Sequence, residues 1–166
     1  MVSNMKYDCG FSKENKWFRY RTGGIIVNNG KMLFVKCGFA DYYYMIGGGV
    51  QMGETSEKCI EREIFEETGL TARVDHLAVV SENFFKGFGG VIDGFDCQTL
   101  EFYYYMNVET EDLVNCKTET DAGEKLVWIP IEDIKTSQIK PDFIKERISG
   151  ILNSSNIIHI IDERDR

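Results

Sequence analysis

The stretch that decides the fold of this chain is residues 47–70, which read GGGVQMGETSEKCIEREIFEETGL. Within it, Thr55 is a residue type that often caps the N-terminus of a helix, and Glu57 follows in the position of a first turn. Gly69 can adopt the positive φ that commonly ends a helix. The stretch therefore predicts a glycine-rich turn followed by an α-helix over residues 56–68.

Three glutamates share one face of this predicted helix. Glu63, Glu66 and Glu67 stand at i, i+3 and i+4, which places their Cβ atoms about 5–6 Å apart. Like charges at this spacing cost about 0.2–0.5 kcal/mol per pair, and anions in a last helical turn cost about 0.3–1 kcal/mol each. A divalent cation would reverse both penalties, because Mg²⁺ and Mn²⁺ require oxygen ligands that converge. The alternative is an ordinary solvated face, but the preceding glycines, which let backbone approach a ligand, favour the metal site.

The residues around this helix predict several strands and one more helix. Two β-rich runs, 24–27 and 32–35, flank Asn28-Asn29-Gly30, and an Asn-Gly pair between such runs is a strong hairpin signal. Further elements are expected as strands at 42–46, 72–82, 99–108, 125–129 and 157–161, and as a helix from Pro141 to about Leu152. Two helices among about six strands indicate an α/β (α+β) fold class.

Length and composition predict a single folded domain. The chain has 166 residues, of which 43% are apolar and 28% charged, so it can bury a core and present a polar surface. Without a proline- or serine-rich linker, we expect residues 1–16 to be a loosely held lead-in and residues 17–166 to form one domain. Its 27 acidic and 19 basic residues leave a net charge of −8, which disfavours duplex nucleic acid as a partner. Phosphorylated substrates remain compatible if a divalent cation lies between carboxylates and phosphates.

Apolar runs and cysteines predict the cellular location. No apolar run approaches the ~20 residues that a membrane span needs, and the first residues lack the apolar centre of a signal peptide. The five cysteines are scattered without a Cys-x-x-Cys pair, so neither a zinc site nor a disulfide framework is indicated. We therefore expect reduced thiols, a cytoplasmic location and no membrane partner.

The stretch from Gly48 to Leu70 resembles the Nudix box, which is written G-x5-E-x7-R-E-U-x-E-E-x-G-U with U an aliphatic residue. Every defined position of that pattern is matched. The matching residues are Gly48, Glu54, Arg62, Glu63, Ile64, Glu66, Glu67, Gly69 and Leu70. The resemblance extends over residues 17–135, because a hairpin precedes the box and a Val-Trp-Ile-Pro strand end follows it.

This resemblance implies a fold, an activity and site residues. Nudix proteins form an α/β/α sandwich with a mixed sheet, and they hydrolyse a diphosphate linked to another moiety, mostly in nucleoside diphosphate derivatives. The implied ligands of one to three Mg²⁺ or Mn²⁺ ions are Glu63, Glu66, Glu67 and the backbone carbonyl of Gly47 or Gly48. The implied catalytic set is Glu54, Arg62, Glu63 and Glu66, in which Arg62 orients Glu63 and pairs with Glu54. For the base that activates water, a box glutamate is the first choice, with Glu101, Glu119 and Glu124 as alternatives.

The sequence indicates the substrate less clearly than the reaction. Where many family members have Leu-Pro before the glycines, this chain has Met45-Ile46, so the resemblance does not fix the exact loop geometry, although no metal ligand is lost. The family's markers for ADP-ribose and dinucleoside polyphosphates, a proline about 15 and a tyrosine about 17 residues after the box, are replaced by the Glu-Asn-Phe-Phe stretch at 82–85. We expect Arg19, Arg21 and Phe85 to bind the substrate. The tyrosine runs at 42–44 and 103–105 would stack a base or, more simply, pack in the core.

Other functions on the same fold remain as alternatives. A nucleotide sensor without turnover usually has an eroded box, whereas this box is intact. An isomerase of diphosphate esters would need a catalytic cysteine near the site, for which Cys37 and Cys97 are the candidates. His76 and His159 are expected to be structural, since neither has a recognisable nucleophile beside it. A homodimer is expected only by analogy with relatives.

Overall fold

A computed structural model describes residues 7–165 of the chain. Its strands are β1 (Gly10–Lys13), β2 (Lys16–Ile25), β3 (Val27–Asn28), β4 (Lys31–Lys36), β5 (Tyr43–Tyr44), β6 (Ala72–Lys86), β7 (Asp96–Val108), β8 (Leu126–Pro130) and β9 (Ile158–Asp165). Its helices are α1 (Ser56–Thr68) and α2 (Asp142–Asn153), and short 3₁₀ turns lie at Gly90–Ile92, Asp112–Asn115 and Ile131–Thr136. No helix in this described range is long and apolar enough to span a membrane.

The strands form two sheets. The larger has the order β1-β2-β7-β6-β9, in which β2 runs parallel to β7 and β9 runs parallel to β6, while the other two pairs are antiparallel. In the smaller sheet β4 pairs antiparallel with β3, β5 and β8. The expected mixed sheet is therefore confirmed.

The helix and the hairpin predicted from local signals are confirmed. The hydroxyl of Thr55 accepts a hydrogen bond from the Lys58 N–H at 3.2 Å, and Gly69 ends α1 with φ 75°. In the hairpin, Val27 pairs with Met32 across a turn in which Asn29 and Gly30 have positive φ. Both elements are set by residues close together in the chain, so their signals are visible in the sequence.

The core lies on both faces of the strands, which gives the layered arrangement. Ile25 and Phe34 pack with α2 in one cluster of buried residues, whereas their chain neighbours Ile26 and Leu33 pack with α1 in another. Successive side chains of a strand point to opposite faces, so one helix covers each face. This is the expected α/β/α sandwich.

Two expectations differ from the structure. Within the lead-in expected at 1–16, β1 pairs with β2 and Asp8 forms a β-bridge with Gln51, so its later half belongs to the large sheet; residues 1–6 lie outside the described residues. The strand expected at 42–46 is only the two residues of β5. The chain beyond it turns to run beside β2, where the Gly24 N–H donates to the Ile46 carbonyl.

Candidate active site

Glycines bring α1 and the preceding loop against β2. A Cβ at Gly24 would lie 2.8 Å from Cδ1 of Ile64, so a larger residue there would push the helix away. A Cβ at Gly48 would lie 2.4 Å from the carboxyl carbon of Glu63. The Gly48 carbonyl accepts a hydrogen bond from the Thr22 N–H at 2.9 Å, which anchors the loop to the strand. The glycine-rich turn therefore supplies bare backbone next to the Glu63 carboxylate.

Arg62 lies among three carboxylates. Its Nη2 and Nε donate to the two carboxylate oxygens of Glu54 at 2.7 and 3.2 Å. Its Nη1 donates to Glu63 at 2.6 Å and to Glu66 at 3.1 Å. Burial opposes ionisation of Glu54, yet the bonds from Arg62 and from the Gln51 N–H hold its pKa below the usual value. Arg62, whose side chain is 20% exposed, thus fixes the orientation of both Glu54 and Glu63.

Glu67 lies on the other side of this carboxylate face. Burial raises the pKa of Glu67 to about 7, and the negative charges of Glu63, Glu124 and Asp121 add to the effect, while Arg21 opposes it. A carboxyl group whose pKa is raised by neighbouring carboxylates lies where negative charge exceeds what the local cations neutralise. This is the electrostatic environment that attracts a cation.

The donor set fits a hard divalent cation. Carboxylate oxygens of Glu63, Glu66 and Glu67 and the backbone oxygens of the turn are the ligand type that Mg²⁺ and Mn²⁺ prefer. Within residues 7–165 no three acidic, histidine or cysteine side chains already converge as a metal site. Arg62 instead holds the carboxylates of Glu63 and Glu66. Binding would therefore require Glu66, which is 45% exposed, to exchange this contact for the metal.

Beside the carboxylates, a cleft of about 720 Å³ opens over the large sheet. Arg19 and Arg21 both line it, and the Nε atom of each is buried without a hydrogen-bond partner. Arg19 donates to Asp8 at 2.5 Å, and Nη1 of Arg21 lies 3.8 Å from Glu101. Guanidinium groups are the side chains that bind anionic oxygen atoms most readily, and two of them line this cleft.

The three later glutamates have different positions. Glu101 lines the cleft, is only 5% exposed and accepts a hydrogen bond from the Tyr103 hydroxyl at 2.6 Å. Glu124 also lines it and accepts hydrogen bonds from the Gly38 N–H and the Tyr44 hydroxyl. Glu119 is exposed and does not line the cleft. The structure therefore leaves two of these residues close to where a substrate would lie.

The aromatic residues divide between core and cleft. Tyr103 is buried with its ring edge-on to Phe143 at 5.8 Å, and Tyr105 stacks on His76 at 5.2 Å, so these members of the second run pack rather than bind. Phe85 and Tyr42 line the cleft. Asn83, from the Glu-Asn-Phe-Phe stretch, also lines it, as do Phe39 and Phe88, which the sequence does not single out. Only their shared cleft, formed by segments far apart in the chain, marks them.

The cysteines and histidines do not form a catalytic group. All five cysteines are free, Cys37 lines the cleft, and burial raises the pKa of Cys97. His76 contacts Asp75 and His159 contacts Glu82, in both cases at the protein surface. These are the structural roles expected for the two histidines.

Comparison with known proteins agrees with this geometry. A family model described as NUDIX domain matches residues 17–147. A MutT protein from Bacillus halodurans superposes with a TM-score of 0.63 at 16% identity, covering 89% of this chain and 93% of that one. A UDP-X diphosphatase superposes with a TM-score of 0.62 at 20% identity, covering 86% of this chain and 66% of that one. An ADP-ribose pyrophosphatase from Streptococcus suis superposes with a TM-score of 0.57 at 11% identity, covering 87% of this chain and 98% of that one. At these identities the structural matches establish the fold.

Proposed function

The chain belongs to the NUDIX domain family and is a Nudix hydrolase, a pyrophosphohydrolase, and from this membership we propose that it cleaves a diphosphate linkage in a nucleoside diphosphate derivative or a related (d)NTP with the help of Mg²⁺ or Mn²⁺. The observation that carries the proposal is the three-carboxylate face of α1 beside the cleft that holds Arg19 and Arg21. Neighbours named as ADP-ribose pyrophosphatase and UDP-X diphosphatase support a small, nucleotide-type substrate.

We assign the cation to the carboxylates of α1. Its ligands are Glu63, Glu66, Glu67 and a backbone carbonyl of Gly47 or Gly48. When bound, a divalent cation neutralises the diphosphate charge and makes a coordinated water a better nucleophile. Arg62 and Glu54 are positioning residues, because their bidentate pair holds the guanidinium against Glu63.

The arginines of β2 bind the phosphates. Arg19 and Arg21 are two residues apart on one strand, so their side chains point to the same face. Each side chain lines the cleft and is about a third exposed, at 33% and 31%, so its accessible N–H groups can donate to phosphate oxygens. Held in this way, the diphosphate lies between the guanidinium groups and the carboxylate face of α1, which is the orientation that hydrolysis requires.

A carboxylate must accept the proton of the attacking water. A glutamate of the box, Glu63 or Glu66, is our first assignment, since both belong to the carboxylate face. Glu124 and Glu101 are the alternatives that also line the cleft. In-line attack at phosphorus then expels a phosphate-containing leaving group.

The test is phosphate release with Mg²⁺ or Mn²⁺ from ADP-ribose, normal and oxidised dNTPs, dinucleoside polyphosphates, NADH, coenzyme A and sugar nucleotides. Glu66→Gln removes one charged carboxylate and is expected to lower kcat by about 10²-fold or more. Glu57→Gln is the matched control, because Glu57 is an exposed carboxylate in the first turn of the same helix and should leave turnover unchanged. Nucleotide binding without turnover would instead favour a sensor on the same fold.

Three further features of the protein are part of the proposal. Residues 17–166 form one domain, to which β1 adds an edge strand. Five free cysteines support a cytoplasmic location. Homodimer formation stays a prediction, which light scattering of the purified chain would test.

A further inference from the structure

We propose that Asp8 is a positioning residue of the active site, which holds the guanidinium of Arg19 in place for the diphosphate of the substrate. This inference rests on the proposed function, because it takes Arg19 to bind a phosphate. Asp8 precedes the stretch that matches the family model, which begins at residue 17, so membership of the family assigns it no role.

Backbone hydrogen bonds join residues 7–9 to the active-site turn. The Cys9 N–H donates to the Val50 carbonyl at 2.6 Å, the Val50 N–H donates to the Tyr20 carbonyl at 3.0 Å, and the Tyr20 N–H donates to the Cys9 carbonyl at 2.9 Å. These three bonds form a closed ring that connects residues 7–9, the glycine-rich turn and β2. Each of the three segments therefore fixes the position of the other two.

The backbone of Asp8 is held on both sides. Asp8 forms a β-bridge with Gln51, and on its other side the Met52 N–H donates to the Tyr7 carbonyl at 2.7 Å. The bond from the Cys9 N–H follows directly after Asp8 in the chain. Because hydrogen bonds flank Asp8 in this way, its side chain extends from a fixed point beside the turn.

The side chains of Asp8 and Arg19 lie together against Gly49. Nη2 of Arg19 donates to Oδ2 of Asp8 at 2.5 Å. A Cβ at Gly49 would lie 2.6 Å from that Oδ2 and 2.6 Å from both Nε and Nη2 of Arg19. The ion pair thus occupies the space that the bare Cα of the turn leaves open. A planar guanidinium that is bonded at one terminal nitrogen and packed against backbone has a defined orientation.

Preparing Arg19 for substrate explains this arrangement better than stability does. The side chains of Asp8 and Arg19 are 43% and 33% exposed, and exposed ion pairs contribute little to the free energy of unfolding. Arg19 lines the cleft, and the bond to Asp8 uses only one of the five N–H donors of its guanidinium. A donor that is already oriented loses less conformational entropy when a phosphate oxygen binds, so the phosphate binds more tightly.

The experiment measures KM and kcat on the best substrate of the panel, and the Kd of imidodiphosphate with Mg²⁺ by calorimetry. Imidodiphosphate is the probe because it has a P–N–P link in place of the P–O–P bond that is cleaved. Asp8→Ala should raise KM and this Kd by about 10-fold, the value of one hydrogen bond to a charged group, and leave kcat within about threefold of native. Asp8→Asn keeps an oxygen that accepts from Arg19, so it should restore both constants to within about threefold of native.

The same two variants separate positioning from a simple effect of charge. Removing a negative charge near a phosphate site by itself favours binding of an anion. If the charge of Asp8 were what mattered, Asp8→Ala and Asp8→Asn would both lower KM, and that result would overturn the inference. Glu14→Gln is the matched control: it removes one charge from an exposed residue between β1 and β2 that does not line the cleft, so KM and Kd should stay native.

A double variant tests whether Asp8 acts through Arg19. In an Arg19→Met background the partner of Asp8 is gone, so adding Asp8→Ala should change the Kd of imidodiphosphate no further. Effects that simply add would overturn the inference, as would native KM and Kd in Asp8→Ala. Circular dichroism melts show that each variant is folded.

The two proposals fail in different ways. Weaker binding of imidodiphosphate by Asp8→Ala, in a chain that turns over no member of the panel, would refute the hydrolase proposal alone. Turnover with native KM and Kd in Asp8→Ala would refute the role of Asp8 alone.

Discussion

Gly48→Ala is the substitution that tests the carboxylate face most directly. The new Cβ would lie 2.4 Å from the carboxyl carbon of Glu63, whereas carbon atoms in contact are normally about 3.5–4.0 Å apart. The backbone cannot retreat easily, because the Gly48 carbonyl accepts the hydrogen bond from Thr22. The Glu63 carboxylate must therefore move by more than about 1 Å, and a displacement of that size can lower turnover by about 10²-fold.

The assay is kcat/KM for the best substrate of the nucleotide panel, together with the free energy of unfolding in urea. Stability should fall by no more than about 1.5–3 kcal/mol, the contribution of a hydrogen bond to a charged group, since the end of a flexible side chain is what moves. Gly150→Ala is the control: a Cβ there, on α2, meets nothing within 4 Å, so turnover should be native and stability should rise by about 0.4–1 kcal/mol. If Gly48→Ala keeps kcat/KM within threefold of native, Glu63 does not need this position and our reasoning about the site is wrong.

Two further predictions concern charge. Arg62→Leu should lower the free energy of unfolding by about 2–4 kcal/mol, because it leaves two mostly buried carboxylates without their partner. The control is Lys58→Leu, at a 70%-exposed position of the same helix, which should change the free energy of unfolding by less than about 1 kcal/mol. Urea unfolding measures both. Hydrogen bonds from Arg164 hold the pKa of Asp162 below its usual value of 3.8, so the stability that this pair contributes is present above pH 3.8 and is lost as the pH falls through the lower folded pKa. Asp162→Asn should consequently reduce the difference in unfolding free energy between pH 7 and pH 2.5, and an unchanged difference would show that the pair contributes nothing.

The alternation along β7 shows how far a periodic pattern can be trusted. The sequence places Tyr103 and Tyr105 on one face and Tyr104 on the other, and in the structure Tyr103 packs in the α2 cluster while Tyr104 packs in the α1 cluster. A strand has a period of two residues, so the division between faces follows from the sequence alone. Which face carries the cleft does not, because that depends on the neighbouring strands.

The edge strand β1, in contrast, is not indicated by the sequence pattern. The lead-in of mixed polar residues gives no strong strand signal, yet β1 pairs with β2 and Asp8 reaches Gln51 and Arg19. An edge strand gains most of its order from backbone hydrogen bonds to a neighbour, and these leave little trace in side-chain patterning. Its pairing is therefore a property of the folded sheet.

The sequence by itself determined the helix α1, its caps, the hairpin before it and the carboxylate face of the Nudix box. These features depend on residues within one or two helical turns of each other, so local propensity and spacing are sufficient. Only the tertiary structure decided the cleft, in which Arg21, Phe39, Asn83 and Phe88 come from separate strands and loops. Strand order and register bring such residues together, and they are set by the packing of the whole domain. For that reason the reaction class could be predicted from the sequence, whereas the cleft beside the carboxylates emerged only from the folded sheet.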